Sequence, residues 1–152
     1  MQNMNRRRFA RISLHWAAHL DFGVKEYKRF VANVSLSGFY VEGDFQQNSK
    51  DLCVVKLTPS GLLNTEEAVR AVGTVTRLSE NGMAVEFLSM KLDSFFFLET
   101  TLLYRAVDPA ALGREFIWNN ILEFEGDTVF FKPYSLKRWN IKQLSNFFLK
   151  KK

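Results

Sequence analysis

The chain has 152 residues, 47% of them hydrophobic and 24% charged, which is enough for one domain or a small domain with an appended piece and excludes a disordered chain. Its 21 Lys and Arg against 16 Asp and Glu leave a net charge of +5, which allows a polyanionic partner without demanding one. A single cysteine, Cys53, excludes an internal disulfide framework and a multi-cysteine zinc site.

The N-terminal segment carries Arg6, Arg7, Arg8 and Arg11. From Arg11 to about Phe87 the pattern is strand-like. Ile12, Leu14 and Trp16 alternate with smaller or polar residues, and the Gly-containing stretch Asp21 to Lys25 predicts a turn. Tyr27 to Val34 predicts a second strand, Ser35-Leu36-Ser37-Gly38 a turn, and Phe39-Tyr40-Val41 the start of a third. Asp51 to Thr58 and Glu66 to Leu78 predict a fourth and a fifth. Asn81-Gly82 is the strongest hairpin signal in the chain, with Met83 to Phe87 as the sixth strand. Short strands at this spacing argue for a small antiparallel barrel or sandwich.

After Met90 the pattern changes. Asp93 or Ser94 is placed to cap a helix through Phe95, Leu98 and Leu102 to Val107. Asp108-Pro109 predicts a fresh start and a second helix from Ala110 to about Ile117. Glu125-Gly126-Asp127 between two apolar stretches predicts a hairpin, and Asn140 opens a last amphipathic helix through Ile141, Leu144 and Phe147. The expected division is residues 1–90 and a mostly helical extension over residues 91–152, packed on the first part. Fifteen Phe predict a phenylalanine-rich core or an exposed patch for a partner. Phe95-Phe96-Phe97 is read first as core packing and second as a docking surface.

Two short motifs bear on function. Arg7 and Arg11 form an Arg-x-x-x-Arg pattern, and an arginine fork suits phosphate oxygens and the O6/N7 edge of guanine. One β-hairpin later, Asn33-Val34-Ser35-Leu36-Ser37-Gly38 spells (Asp/Asn)-x-Ser-x-x-Gly. Asn and Ser offer donors and acceptors at a turn, and Gly38 permits positive φ or close backbone approach. Taken singly, the first reads as a solvated basic leader and the second as a plain turn.

In this order and spacing, ahead of a β-barrel pattern, the two motifs resemble the PilZ family, bacterial receptors of the second messenger cyclic di-GMP. The resemblance covers roughly residues 5 to 90. It includes Gly73 to Arg77 and Gly82 to Phe87, which look like the family's final barrel strands. It implies a mainly β fold with some α: a six-stranded antiparallel β-barrel followed by the helical extension. It implies that Arg7 and Arg11 grip phosphates and guanine edges, that Asn33 and Ser35 hydrogen-bond a guanine, and that Gly38 lets the backbone turn beneath it. Arg6, just before the motif, points to a stacked pair of ligand molecules, and Arg8 adds a contact or only positive potential. Arg77 either reaches the ligand from the barrel surface or faces solvent. Phe39 stands where many members carry a second Gly.

Other chemistry is set aside. His15 and His19 on one strand lie about 13 Å apart, too far for one metal ion. Cys53 reads as a small buried hydrophobe, and no nucleophile elbow or Gly-rich phosphate loop is visible. No apolar run approaches the roughly 20 residues that span a bilayer, and no secretory leader is apparent. The expectation is a cytoplasmic, non-enzymatic receptor without cofactor or nucleic-acid partner. It signals to an unidentified effector protein as the arginine leader orders over cyclic di-GMP. The alternatives are a basic nucleic-acid- or membrane-surface-binding module and a PilZ scaffold that does not bind.

Overall fold

In–out alternation builds two of the strands. In β1 (Trp16–Asp21), Trp16, Ala18 and Leu20 are buried while Ala17 is exposed. In β4 (Leu52–Pro59), Cys53, Val55 and Leu57 are buried and the residues between them half-buried. That period of two puts one apolar face inward and leaves the other to solvent. The remaining barrel strands are β2 (Glu26–Val34), β3 (Gly38–Glu42), β5 (Val69–Leu78) and β6 (Gly82–Lys91). The structure is a computed structural model describing residue 12 and residues 15–59, 67–119 and 122–131.

All pairings are antiparallel, in the order β3-β2-β1-β4-β5-β6, and β6 pairs back onto β3 to close a six-stranded barrel. Closure needs sharp bends, and β-bulges supply them. One falls in β2 between Val31 and Asn33; two more offset β5 from β6 at Val72/Gly73 and Val75/Arg77. Leu20, Val34, Leu36, Val41, Leu57, Met83 and Phe87 are fully enclosed.

β6 is long enough to serve two partners. Its first half pairs with β3, and Ser89 to Lys91 pair with β8 (Thr128–Phe131), whose hairpin mate is β7 (Leu122–Glu125). Gly126, at φ +63°, carries the expected turn of that hairpin. Between β6 and β7 lie α1 (Leu92–Arg105) and α2 (Pro109–Asn119). Asp108 caps α2 as its sequence predicts, its Oδ1 accepting from the Ala111 N–H at 3.1 Å.

The start of α1 differs from expectation. Neither Asp93 nor Ser94 caps it: Lys91 occupies the N-cap position without a side-chain hydrogen bond, and α1 leaves β6 without a break. The Leu92 N–H instead donates to the Asp127 carbonyl of the hairpin turn at 2.7 Å. Ser94 is turned inward, and its Oγ accepts from the Arg70 N–H of β5 at 3.0 Å. Ser94, Phe95, Leu98 and Leu102 form the buried stripe of α1. Phe97 stacks on Trp16 with ring centroids 6.0 Å apart.

The phenylalanines build the core that the composition foresaw. Neighbouring rings run Phe39–Phe87–Phe131–Phe95–Phe124, each pair 5.7 to 6.5 Å apart, from the barrel interior to the C-terminal hairpin. Phe96 and Phe124 stay more than half exposed. The helix expected from Asn140 lies outside the described residues.

Candidate ligand-binding site

The turn between β2 and β3 is built by its own side chains. The Ser35 N–H donates to the Gly38 carbonyl at 2.8 Å, closing the hairpin. Ser35 is only 6% exposed. Its Oγ accepts from the Ser37 N–H at 3.3 Å and donates to the Gly38 carbonyl at 3.3 Å, which leaves the Ser37 hydroxyl as donor in their 3.2 Å contact. The serine hydroxyl thus satisfies the Ser37 N–H and adds a second donor to the Gly38 carbonyl. The Phe87 N–H donates to the Ser37 carbonyl at 2.8 Å and ties the turn to β6.

Gly38 is required by space. Its φ is not in the left-handed region. A Cβ there would fall on the Val85 carbonyl oxygen and reach 3.0 Å from the Glu86 Cα. Of the two roles the sequence leaves open, close backbone approach is the one used.

Asn33 follows the β2 bulge and sits opposite Tyr40. It is half-buried, and its side chain makes no hydrogen bond among the described residues. The same outward row continues through Ala84 of β6 to Arg77 of β5. Tyr40 Oη lies 2.8 Å from Ser79 Oγ, and the exposed Arg77 guanidinium stands 5.9 Å from the Tyr40 ring centroid. Arg77 therefore lies on the same wall as Asn33, with Tyr40 between them. Sequence reasoning did not single out Tyr40; its parity with Gly38 on β3 was the available signal.

Ile12 joins the site from the other side. Its N–H donates to the Val34 carbonyl and its carbonyl accepts from the Val34 N–H, both at 2.9 Å. Arg6, Arg7, Arg8 and Arg11 lie outside the described residues. His19 lies on the outer face of β1 with Nε2 2.7 Å from Glu26 Oε1. Cys53 is fully buried, and burial with the nearby Asp21 and Asp51 carboxylates pushes its thiol up, away from the thiolate.

A closed six-stranded antiparallel barrel whose β2–β3 turn follows the residue bridged by Ile12 defines the class of protein. The model of the PilZ domain matches residues 5–102, well over half of the sequence, and the chain belongs to the PilZ domain family. The structure is similar to that of the Bacillus subtilis inhibitor of motility (MotI/DgrA), with TM-score 0.58 and 17% identity. That match covers 69% of this chain and 53% of the Bacillus one, so the chain spans about half of that protein's length. It is also similar to the PilZ domain of YcgR from Escherichia coli, solved with c-di-GMP, with TM-score 0.53, 12% identity, and coverage of 73% of this chain and 94% of that one. At these identities the two structures speak to the fold. No curated protein matches the sequence.

Proposed function

We propose that this chain is a non-enzymatic cyclic di-GMP receptor. One observation carries the reading: the paired hydrogen bonds between Ile12 and Val34. They tether the residue directly after Arg11 to the residue directly before Ser35. Arg11 is one peptide from that tether, about 3.8 Å along the chain, and Arg7 is within about 18 Å even if fully extended. Membership of the PilZ family, and the c-di-GMP in the YcgR structure, support the choice of ligand.

The ligand has two phosphodiester charges and two flat purines. The forks of Arg7 and Arg11 hold a phosphate and a guanine edge in charge-assisted bidentate bonds. Arg6 and Arg8 add charge and, with a stacked ligand pair, further contacts. Asn33 offers an amide uncommitted within the described fold, with donor and acceptor for a guanine edge. Ser35 has a double role: its hydroxyl shapes the turn, and a guanine reaching it exchanges with the Ser37 hydroxyl. Gly38 keeps the turn flush against β6. Arg77 and Tyr40 extend the same wall as a stacking shelf.

Residues 1–90 act as the receptor barrel, and residues 91–152 act as the extension that carries output to an effector protein in the cytoplasm. The leader closes over the ligand, and the exchange of surface is the signal. Titration calorimetry with cyclic di-GMP tests the reading. The wild type releases binding heat, with two ligands per chain if they stack, and Arg7→Ala/Arg11→Ala loses at least ~10-fold in affinity, on the scale of one lost charge-assisted bond. A folded wild type without binding heat, or an unchanged double variant, overturns it. Equal affinity for GTP or single-stranded RNA points instead to a general polyanion site.

A further inference from the structure

The wall of the barrel away from that site carries a row of basic side chains. Strand register places Lys28 of β2 opposite His19 of β1, His19 opposite Lys56 of β4, and Lys56 opposite Arg70 of β5. Directly opposed residues share a face, so the four side chains line up on the outside of four adjacent strands. Lys28 and Arg70 are exposed, and His19 and Lys56 half-buried. With strands about 4.8 Å apart, the row is about 14 Å long.

The neighbouring row holds Glu26 and Asp21. Glu26 is engaged by His19 at 2.7 Å, and Asp21 Oδ1 accepts from the Gly23 N–H at 2.8 Å. Among the described residues Lys28, Lys56 and Arg70 have no carboxylate within ion-pair reach. Like charges directly opposed across strands destabilise a sheet. On the other flank lie Phe30, 70% exposed, with Ala17 and Thr58 opposite each other in line with it.

We infer that this wall is a docking surface for a helix of a partner protein bearing one stripe of Asp and Glu. The spacing argues for a helix: carboxylates placed once per turn repeat every ~5.4 Å, so a stripe of them reaches Lys56 and Arg70 two and three turns from Lys28, about 10 and 14 Å along the row. An extended segment repeats same-face residues every ~6.8 Å and falls out of step at the second contact. Phe30 and Ala17 meet the apolar flank of such a helix. An anionic membrane plane is less well matched, because it would meet Glu26 and Asp21 along with the cations. The surface spans β2, β1, β4 and β5 and shares no residue with the candidate ligand wall, so the inference does not depend on the ligand reading.

The test uses the full chain without nucleotide. The probes are an alanine-based helical peptide with glutamate once per turn along one stripe, the same peptide with glutamine instead, and phosphatidylglycerol vesicles. Backbone amide shifts on adding the glutamate peptide are expected to centre on Lys28, His19, Lys56, Arg70 and Phe30. Affinity is expected to fall at least ~10-fold in Lys28→Glu/Lys56→Glu, to fall less in Lys28→Gln/Lys56→Gln, and to weaken with salt. Circular dichroism checks that both variants keep the fold. Equal affinity for the glutamine peptide, shifts that map elsewhere, or a charge reversal without effect overturns the inference. Vesicle binding without glutamate-peptide binding overturns it in favour of a lipid surface.

Discussion

On the receptor reading, Asn33 and Ser35 divide binding from stability. Ser35 is buried and holds three turn contacts, so Ser35→Ala removes hydrogen bonds the backbone needs. It is expected to cost about 1–2 kcal/mol in urea unfolding as well as ligand affinity. Asn33→Ala leaves the described hydrogen bonds intact and is expected to change stability by less than about 0.5 kcal/mol. In calorimetry it is expected to lose cyclic di-GMP binding at least ~10-fold. Gly38→Ala is the severe substitution. Its methyl would collide with the Val85 carbonyl, which is backbone and cannot rotate aside, so β3 and β6 must separate. A loss of about 2–4 kcal/mol of stability, read as a lower denaturant midpoint, is expected. Gly82→Ala is expected to behave alike, because its Cβ would meet the Tyr40 ring and lie 2.6 Å from the Val41 carbonyl.

Among the elements, α1 closes one end of the barrel. Leu98 is fully buried in its stripe, and Leu98→Ala is expected to cost about 2–5 kcal/mol by thermal or urea unfolding. The hairpin is joined to α1 by the Leu92–Asp127 backbone bond and by the Lys91 Nζ–Asp127 Oδ2 contact at 3.2 Å. That lysine holds the Asp127 carboxyl below its ordinary value. A depressed carboxyl contributes stability above its unfolded pKa and loses it as pH falls through the folded one. Glu99 on α1 has the opposite sign: burial raises its carboxyl above the ordinary value. Its ionised form disfavours the fold, so that penalty is absent at low pH and grows as pH rises through the raised value. Glu99→Gln is therefore expected to raise the melting temperature at neutral pH and to leave it unchanged near pH 3, roughly a unit below the ordinary Glu value.

For the whole molecule, the receptor reading links ligand binding to folding. Cyclic di-GMP at about 100 times its Kd is expected to stabilise the wild type by about 2.7 kcal/mol, seen as a rise in melting temperature. Arg7→Ala/Arg11→Ala is expected to melt with the wild type when free and to show no such rise. The rows of opposed residues give the barrel two dissimilar walls. One carries Asn33, Tyr40 and Arg77; the other carries Lys28, His19, Lys56 and Arg70. β2 and β5 contribute to both.

Much of the barrel was legible in one dimension. Alternation at Trp16–Leu20 and Cys53–Leu57 is local physics, because period-two burial is how a strand hides one face. Asp108-Pro109 and Glu125-Gly126-Asp127 marked a helix start and a hairpin for equally local reasons. The Asn33 to Gly38 motif named its turn, since the Ser35 contacts span only three residues. Other features depend on residues far apart in the chain. Asn81-Gly82 signalled a turn, yet Gly82 is demanded by Tyr40, about forty residues earlier, and its φ is ordinary. Lys91 became the cap position of α1 because Asp127, on a later hairpin, supplies the carbonyl that the first turn needs. The cationic row had no signature in sequence order, because its members come from four strands and are aligned only by register. Local pattern determined which segments are strands and turns; barrel closure, a long-range condition, decided which side chains meet.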